Sequence, residues 1–107
     1  MKLYIAVLED VPDHMVPVLV AHSVLGAHLI FNTDPSYQIW LEKSFKKCVL
    51  RVNKKEFSKI KDSCVVYAGH ENTTLEGVKS CLVVLPSEEY PNVLKFAKLW
   101  QPKKEIS

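Results

Sequence analysis

Apolar and polar residues fall in blocks along this chain, and the period inside each block predicts an element. KLYIAVL (2–8) is short, apolar and partly β-branched, and acids and Pro12 bound it, so it reads as a buried strand. VPDHMVP (11–17) is a turn in which Asp13 or His14 could cap the next helix, and Pro17 fits only near a helix start. From Met15 to Phe31 apolar residues occupy every side. A helix of that kind is expected to be buried on more than one face. Ala21, Ser23, Gly26 and Ala27 would let it lie close to a sheet, and Asn32 ends it.

TDPSYQIWLEKS (33–44) opens with Asp34 as N-cap and Pro35 at the first helical position. Tyr37, Trp40 and Leu41 then share a face of a second short helix. FKKCVLRVN (45–53) reads as a strand with CVLRV at its buried centre. KKEFSKIKDS (54–63) spaces Phe57 and Ile60 among lysines, the mark of a one-faced surface helix. CVVYAG (64–69) and KSCLVVLP (79–86) are strands joined by the polar loop HENTTLEGV (70–78). SEEYPNVLKFAKLW (87–100) should hold a last helix, with Val93, Phe96, Ala97 and Trp100 three and four apart. QPKKEIS (101–107) reads as a frayed tail.

The predicted fold is α/β, a single domain over 1–107 with a four-stranded mixed sheet and helices on both faces. The element order is β-α-α-β-α-β-β-α. Crossover helices imply parallel pairing for part of the sheet, and the short loop implies that the last two strands are antiparallel.

Composition adds bounds. The 107 residues are 48% apolar and 24% charged, ordinary globular values. No run approaches the roughly 18 apolar residues of a membrane span, so no membrane partner is expected. The N-terminal block ends in acids without a small-residue cleavage site, which suggests a cytoplasmic protein rather than a secreted one. Cys48, Cys64 and Cys81 form no CxxC pair and read as small buried thiols. The net charge of +2 hides an asymmetry. Up to residue 42, one base (Lys2) faces five acids, for −4; from residue 43 onward, 13 bases face 7 acids, for +6. Lys43, Lys46, Lys47, Arg51, Lys54, Lys55, Lys59 and Lys61 crowd one stretch against Glu56 alone. A polyanionic partner and a solvated face are both open readings of that patch.

Neither GxGxxG nor GxxxxGK[ST] occurs, which argues against nucleotide-fold enzymes of those types, and neither HExxH nor a serine elbow is present. His14 and His28 lie within about 40° of one helix face but some 20 Å apart, and His22 is turned about 80° from His14. That spacing does not make a shared metal site, so no metal and no cofactor is expected. The GHENTT run (69–74) places His70, Thr73 and Thr74 at a strand's carboxyl end, where open sheets with crossovers hold ligands.

The element order, the long small-residue helix, VVYAG and SCLVVLP together resemble the type 2 peptidyl-tRNA hydrolase superfamily, across roughly residues 2–100. Members of that family enter the helix through a Gly-Lys-rich stretch, carry a Gln one turn on, and place an Asp before an Ala-Gly step. Here Val18 stands at the lysine, His22 at the Gln and Tyr67 at the Asp, while Ala68-Gly69 matches. The acid-rich, proline-containing entry and the Val24-Leu25-Gly26 step look like a divergent branch.

The resemblance implies a hydrolase acting on, or a protein binding, a tRNA-linked substrate. His22 and His70 would be its catalytic groups, since an imidazole titrates near neutral pH. Asp13, Ser23, Thr73 and Thr74 would hold substrate, and Lys46, Lys47, Lys54 and Lys55 would contact tRNA phosphate. A non-catalytic module binding RNA, a nucleotide or a protein is a second reading. A homodimer through Tyr37, Trp40 and Trp100 is a third.

Overall fold

A computed structural model describes residues 1–70 and 79–103. Strand β1, Leu3–Leu8, is central. After it, a 3-10 turn at Asp13–Met15 leads into helix α1, Val16–Phe31, and then α2, Pro35–Ile39. Strand β2 is Lys47–Val52, helix α3 Lys54–Ser63, strand β3 Val66–His70 and strand β4 Lys79–Val84. A one-turn helix α4, Asn92–Lys95, and a two-residue strand β5, Lys98–Leu99, complete the order.

The sheet runs β3-β4-β1-β2-β5. β1 and β2 pair parallel from Leu3↔Lys47 to Leu8↔Val52, and α1 with α2 makes their crossover. The β1–β4, β3–β4 and β2–β5 pairs are antiparallel. Alternation along β1 sorts its side chains onto two faces. Leu3, Ile5 and Val7 join Cys81, Val83, Leu19 and Ala27 in a core beneath α1. Tyr4 and Ala6 join Leu50, Val52, Leu82 and Val84 against Ile60 of α3 and Leu94 of α4. Both faces are covered, which is why β1 and β4 read as continuous apolar runs.

Caps explain several boundaries. The Asp34 carboxylate accepts from the Ser36 and Tyr37 amides, as its place before Pro35 predicts. Asn53 and Glu56 form a reciprocal capping box at the start of α3. Asn32 closes α1, donating its side-chain amide to the His28 and Leu29 carbonyls.

Four expectations need correction. The sheet has five strands, not four. The last helix shrinks to Asn92–Lys95 because β2 would otherwise be an open edge. Leu99 and Lys98 pair with Leu50 and Arg51, and the Trp100 amide donates to the Val49 carbonyl (2.8 Å). The second helix is not uniform: it widens into a π turn at Trp40–Ser44, which ends at Phe45 with φ 55°. Neither Asp13 nor His14 caps the helix that follows. Asp13 instead ties down part of the predicted tail, accepting from the Lys103 amide at 2.6 Å. Residues 71–78, including Thr73 and Thr74, and residues 104–107 lie outside the described residues.

Candidate functional site

The most informative element is α1, because its two sides differ so much. Its inner side carries small residues where the sheet comes closest. Ser23 is buried, and its hydroxyl donates to the Leu19 carbonyl at 2.7 Å. A β-carbon built on Gly69 of β3 would stand 1.9 Å from Ser23 Oγ and 2.7 Å from Ser23 Cβ. A β-carbon on Gly26 would stand 2.3 Å from the Tyr67 hydroxyl oxygen. Helix and strand therefore touch almost backbone to backbone. Beneath them, burial pushes the Cys81 thiol up to about 11, and a hydrogen bond with Ser23 works in the opposite direction. This thiol is a packed, unreactive group.

The outer side is exposed and almost wholly apolar. Val18 is 53% exposed, Leu25 62%, Leu29 68% and Ile30 65%. His22 is exposed on the same face. No Asp, Glu, Lys or Arg occurs from Val16 to Phe31. Burial of this helix on more than one face is therefore corrected: one face is buried and nothing among the described residues covers the other. The expectation that no segment approaches a membrane span is corrected too. Asp13–Phe31 is 19 residues long with mean hydropathy 1.6, enough to span by length and composition, yet here its inner side packs on the sheet.

The other proposed residues scatter. His70 is the last residue of β3, with its backbone paired to Lys79 across a bulge. Ser23 of α1 is sealed against Gly69, and its hydroxyl is already bonded to the Leu19 carbonyl. Lys46 and Lys47 lie where β2 begins, Lys54 and Lys55 just past its end. A six-residue strand separates the two pairs by about 20 Å. Lys47 also folds back, with Nζ donating to the Phe45 carbonyl (2.7 Å) and lying 3.2 Å over the Phe45 ring centroid. His28 meets the Tyr37 hydroxyl at 2.9 Å and so ties α1 to α2. Burial holds the Tyr37 phenol above its ordinary range. Tyr37 and Trp40 are 2% and 1% exposed, which removes them as an exposed dimer surface.

Asp13 is part of a clasp rather than an open pocket. Arg51 Nη2 donates to its carboxylate at 3.2 Å and to the Gln101 carbonyl at 2.6 Å. The guanidinium carbon lies 5.2 Å from the Trp100 ring centroid. Among the described residues, Arg51 Nη1 and Trp100 Nε1 are buried without a protein partner. The bond from the Lys103 amide, helped by Arg51, holds the Asp13 carboxyl below its ordinary value. Because the folded value is depressed, the carboxylate's contribution to stability is complete above about pH 4 and is lost as pH falls through the folded value. Asp13→Asn should therefore lower the urea midpoint near neutral pH, and the gap from wild type should close in strong acid. A gap of constant size down to pH 2 would show that the charge is not what matters.

A cleft of about 620 Å³ opens at the opposite end of the sheet from His70, among Met1, Ser36, Ile39, Cys64, Pro86, Glu88 and Tyr90. Asp13, His22 and Ser23 do not line it. Burial raises the Cys64 thiol there, the reverse of activation. Among the described residues no group of three His, Cys, Asp or Glu side chains could hold a metal ion.

Sequence reasoning missed the outer stripe of α1 although its signal was present. Positions 18, 22, 25 and 29 step by four, three and four, while the small residues that demand close sheet contact lie on the other side. No known protein family matches this chain, and no curated protein sequence matches it significantly.

Proposed function

We propose that this chain is a non-catalytic binding module of the cytoplasm whose contact surface is the outward side of α1. The observation that carries the reading is the exposure of Val18, Leu25 and Leu29 along a helix without a charged residue. Contiguous exposed apolar surface on a small protein marks an interaction site. The positions at which the resembling hydrolases keep a lysine and an acid are here Val18, which belongs to that stripe, and Tyr67, which packs under Gly26. Removing a cation and an acid while adding apolar surface suits contact rather than proton transfer. The two lysine pairs at opposite ends of β2 do not favour one phosphate track.

The hydrolase reading keeps one supporting feature. His22 is solvent-accessible beside Ser23, which packs on Gly69, the residue before His70. An imidazole there could orient water against a tRNA-linked ester. The two readings separate in one assay, the release of peptide from a peptidyl-tRNA by wild type and by His22→Ala. The module reading expects no release above background from either protein. Release by wild type that falls at least tenfold in His22→Ala would overturn it.

A further inference from the structure

We propose that residues 98–103 form a detachable strap on the edge of the sheet, which opens as a unit while the rest of the domain stays folded, and that the Asp13–Arg51 pair is its latch. The strap is firmly anchored only where it begins. Leu94 of α4 is 1% exposed in the core beside Ile60, whereas Phe96, two residues on, is 80% exposed. Both residues of β5, Lys98 and Leu99, are exposed, so their release uncovers little apolar surface on the strap. Beyond them, among the described residues, the polar contacts of the strap run to three places. The Trp100 amide donates to the Val49 carbonyl, Arg51 Nη2 donates to the Gln101 carbonyl, and the Lys103 amide donates to the Asp13 carboxylate. Two of these three end on one ion pair, Arg51 with Asp13 at 3.2 Å.

The closed strap is held by the Trp100 ring, half-buried against the core beneath α1 and 5.2 Å from the Arg51 guanidinium carbon, and by the charge of Asp13. That carboxylate makes the bonds from Arg51 and from the Lys103 amide charge-assisted, the stronger kind. It also fixes the guanidinium that holds Gln101. A segment with few backbone bonds and little buried apolar surface belongs to the low-stability end of a fold and opens ahead of the core. What it covers is a strand edge. The Lys46 and Val52 carbonyls accept from Leu3 and Glu9 on the β1 side, so the even positions of β2 serve β1 and the odd ones face the strap. Opening frees the backbone groups of Val49 and Arg51, which can then bond an extended segment. The strap is thus a guard on the β2 edge, and the charge of Asp13, a residue 38 positions from Arg51 and 90 from Lys103, sets how firmly it is shut.

Amide hydrogen exchange of the full chain, followed by NMR from zero to about 1 M urea, separates local from global opening. The reference is the amide of Val7, fully buried in the central strand between β2 and β4. After correction for intrinsic rates, the Trp100 and Lys103 amides should exchange at least about 100-fold faster than that of Val7, and nearly independently of urea. Ile60→Val weakens the core away from the strap. It should speed Val7 by about three- to tenfold and leave Trp100 and Lys103 unchanged. Asp13→Asn should speed Trp100 and Lys103 together by about fivefold or more, with an unchanged circular dichroism spectrum. Trp100 is the telling amide, because its own bond goes to Val49 and not to Asp13. Trp100 exchange that rises with urea as steeply as that of Val7, or that quickens in Ile60→Val, overturns the proposal, since the strap would then open only with the whole domain. A Trp100 rate indifferent to Asp13→Asn overturns it as well, because the pair would not be a latch.

Discussion

Gly69→Ala should lower the melting temperature by about 10 °C, and adding Ser23→Gly should restore part of the loss. The new β-carbon would sit 1.9 Å from Ser23 Oγ, 2.7 Å from Ser23 Cβ and 3.2 Å from Ser23 Cα. The first contact could be relieved by turning the hydroxyl. The other two cannot, because they involve the base of the side chain and the helix backbone, so α1 must lift off β3. Overpacking of this kind costs roughly 1–3 kcal/mol. In a domain of this size each kcal/mol is worth about 4–8 °C. Ser23→Gly removes the two nearest atoms and leaves only the 3.2 Å approach. It carries its own helix penalty of about 1 kcal/mol. The double variant should therefore melt above Gly69→Ala alone, with a coupling energy of at least ~1 kcal/mol in a double-mutant cycle. Strictly additive losses would mean that α1 and β3 are less closely packed than the distances state.

That contact also marks how far the sequence could be read. The strand interiors of β1 and β4 were legible because both are buried on both faces and carry unbroken apolar runs. The helix from Val16 was legible in type, from its length and the small residues Ser23, Gly26 and Ala27. Its environment was not. Hydrophobic letters on all sides of a helix look the same whether the second face meets protein or water, and only the placed sheet distinguishes Leu19, fully buried, from Leu25, 62% exposed. Leu99 was misread for a related reason. Val93, Phe96, Ala97 and Trp100 fit a helical period, but the open backbone of β2 competes for the same residues. It wins at Lys98–Leu99 because a strand edge offers hydrogen bonds that a short lysine-spaced helix cannot match. The candidate site was less legible than the fold. Lysine pairs that are neighbours in sequence terms are parted by the length of β2, and Asp13 is turned toward Arg51 and Lys103 by contacts 38 and 90 residues away.

Trp40→Ala should be the most damaging single truncation outside the sheet, costing about 3–5 kcal/mol. The indole is 1% exposed and lies in the core beneath α1. Its ring centroid is 5.3 Å from that of Tyr37 and 5.4 Å from that of Phe45. Nε1–H donates to the Lys46 carbonyl at 2.7 Å, and the same carbonyl accepts from the Leu3 amide at 2.8 Å. Trp40 thus fills the space at the π turn and also fixes the point where β2 enters the sheet beside β1. Trp40→Phe separates these roles. It keeps most of the aromatic volume and removes the N–H, while Leu3 still satisfies the carbonyl, so the hydrogen-bond share should be about 1 kcal/mol. Urea titration should place the phenylalanine variant much nearer wild type than the alanine variant, with the slope unchanged for both. Against a total stability of roughly 5–15 kcal/mol, the alanine variant would hold a measurable unfolded fraction at physiological temperature. Equal losses in the two variants would instead assign the effect to the Lys46 bond, and the register of β1 against β2 would then depend on one donor more than on the packing around it.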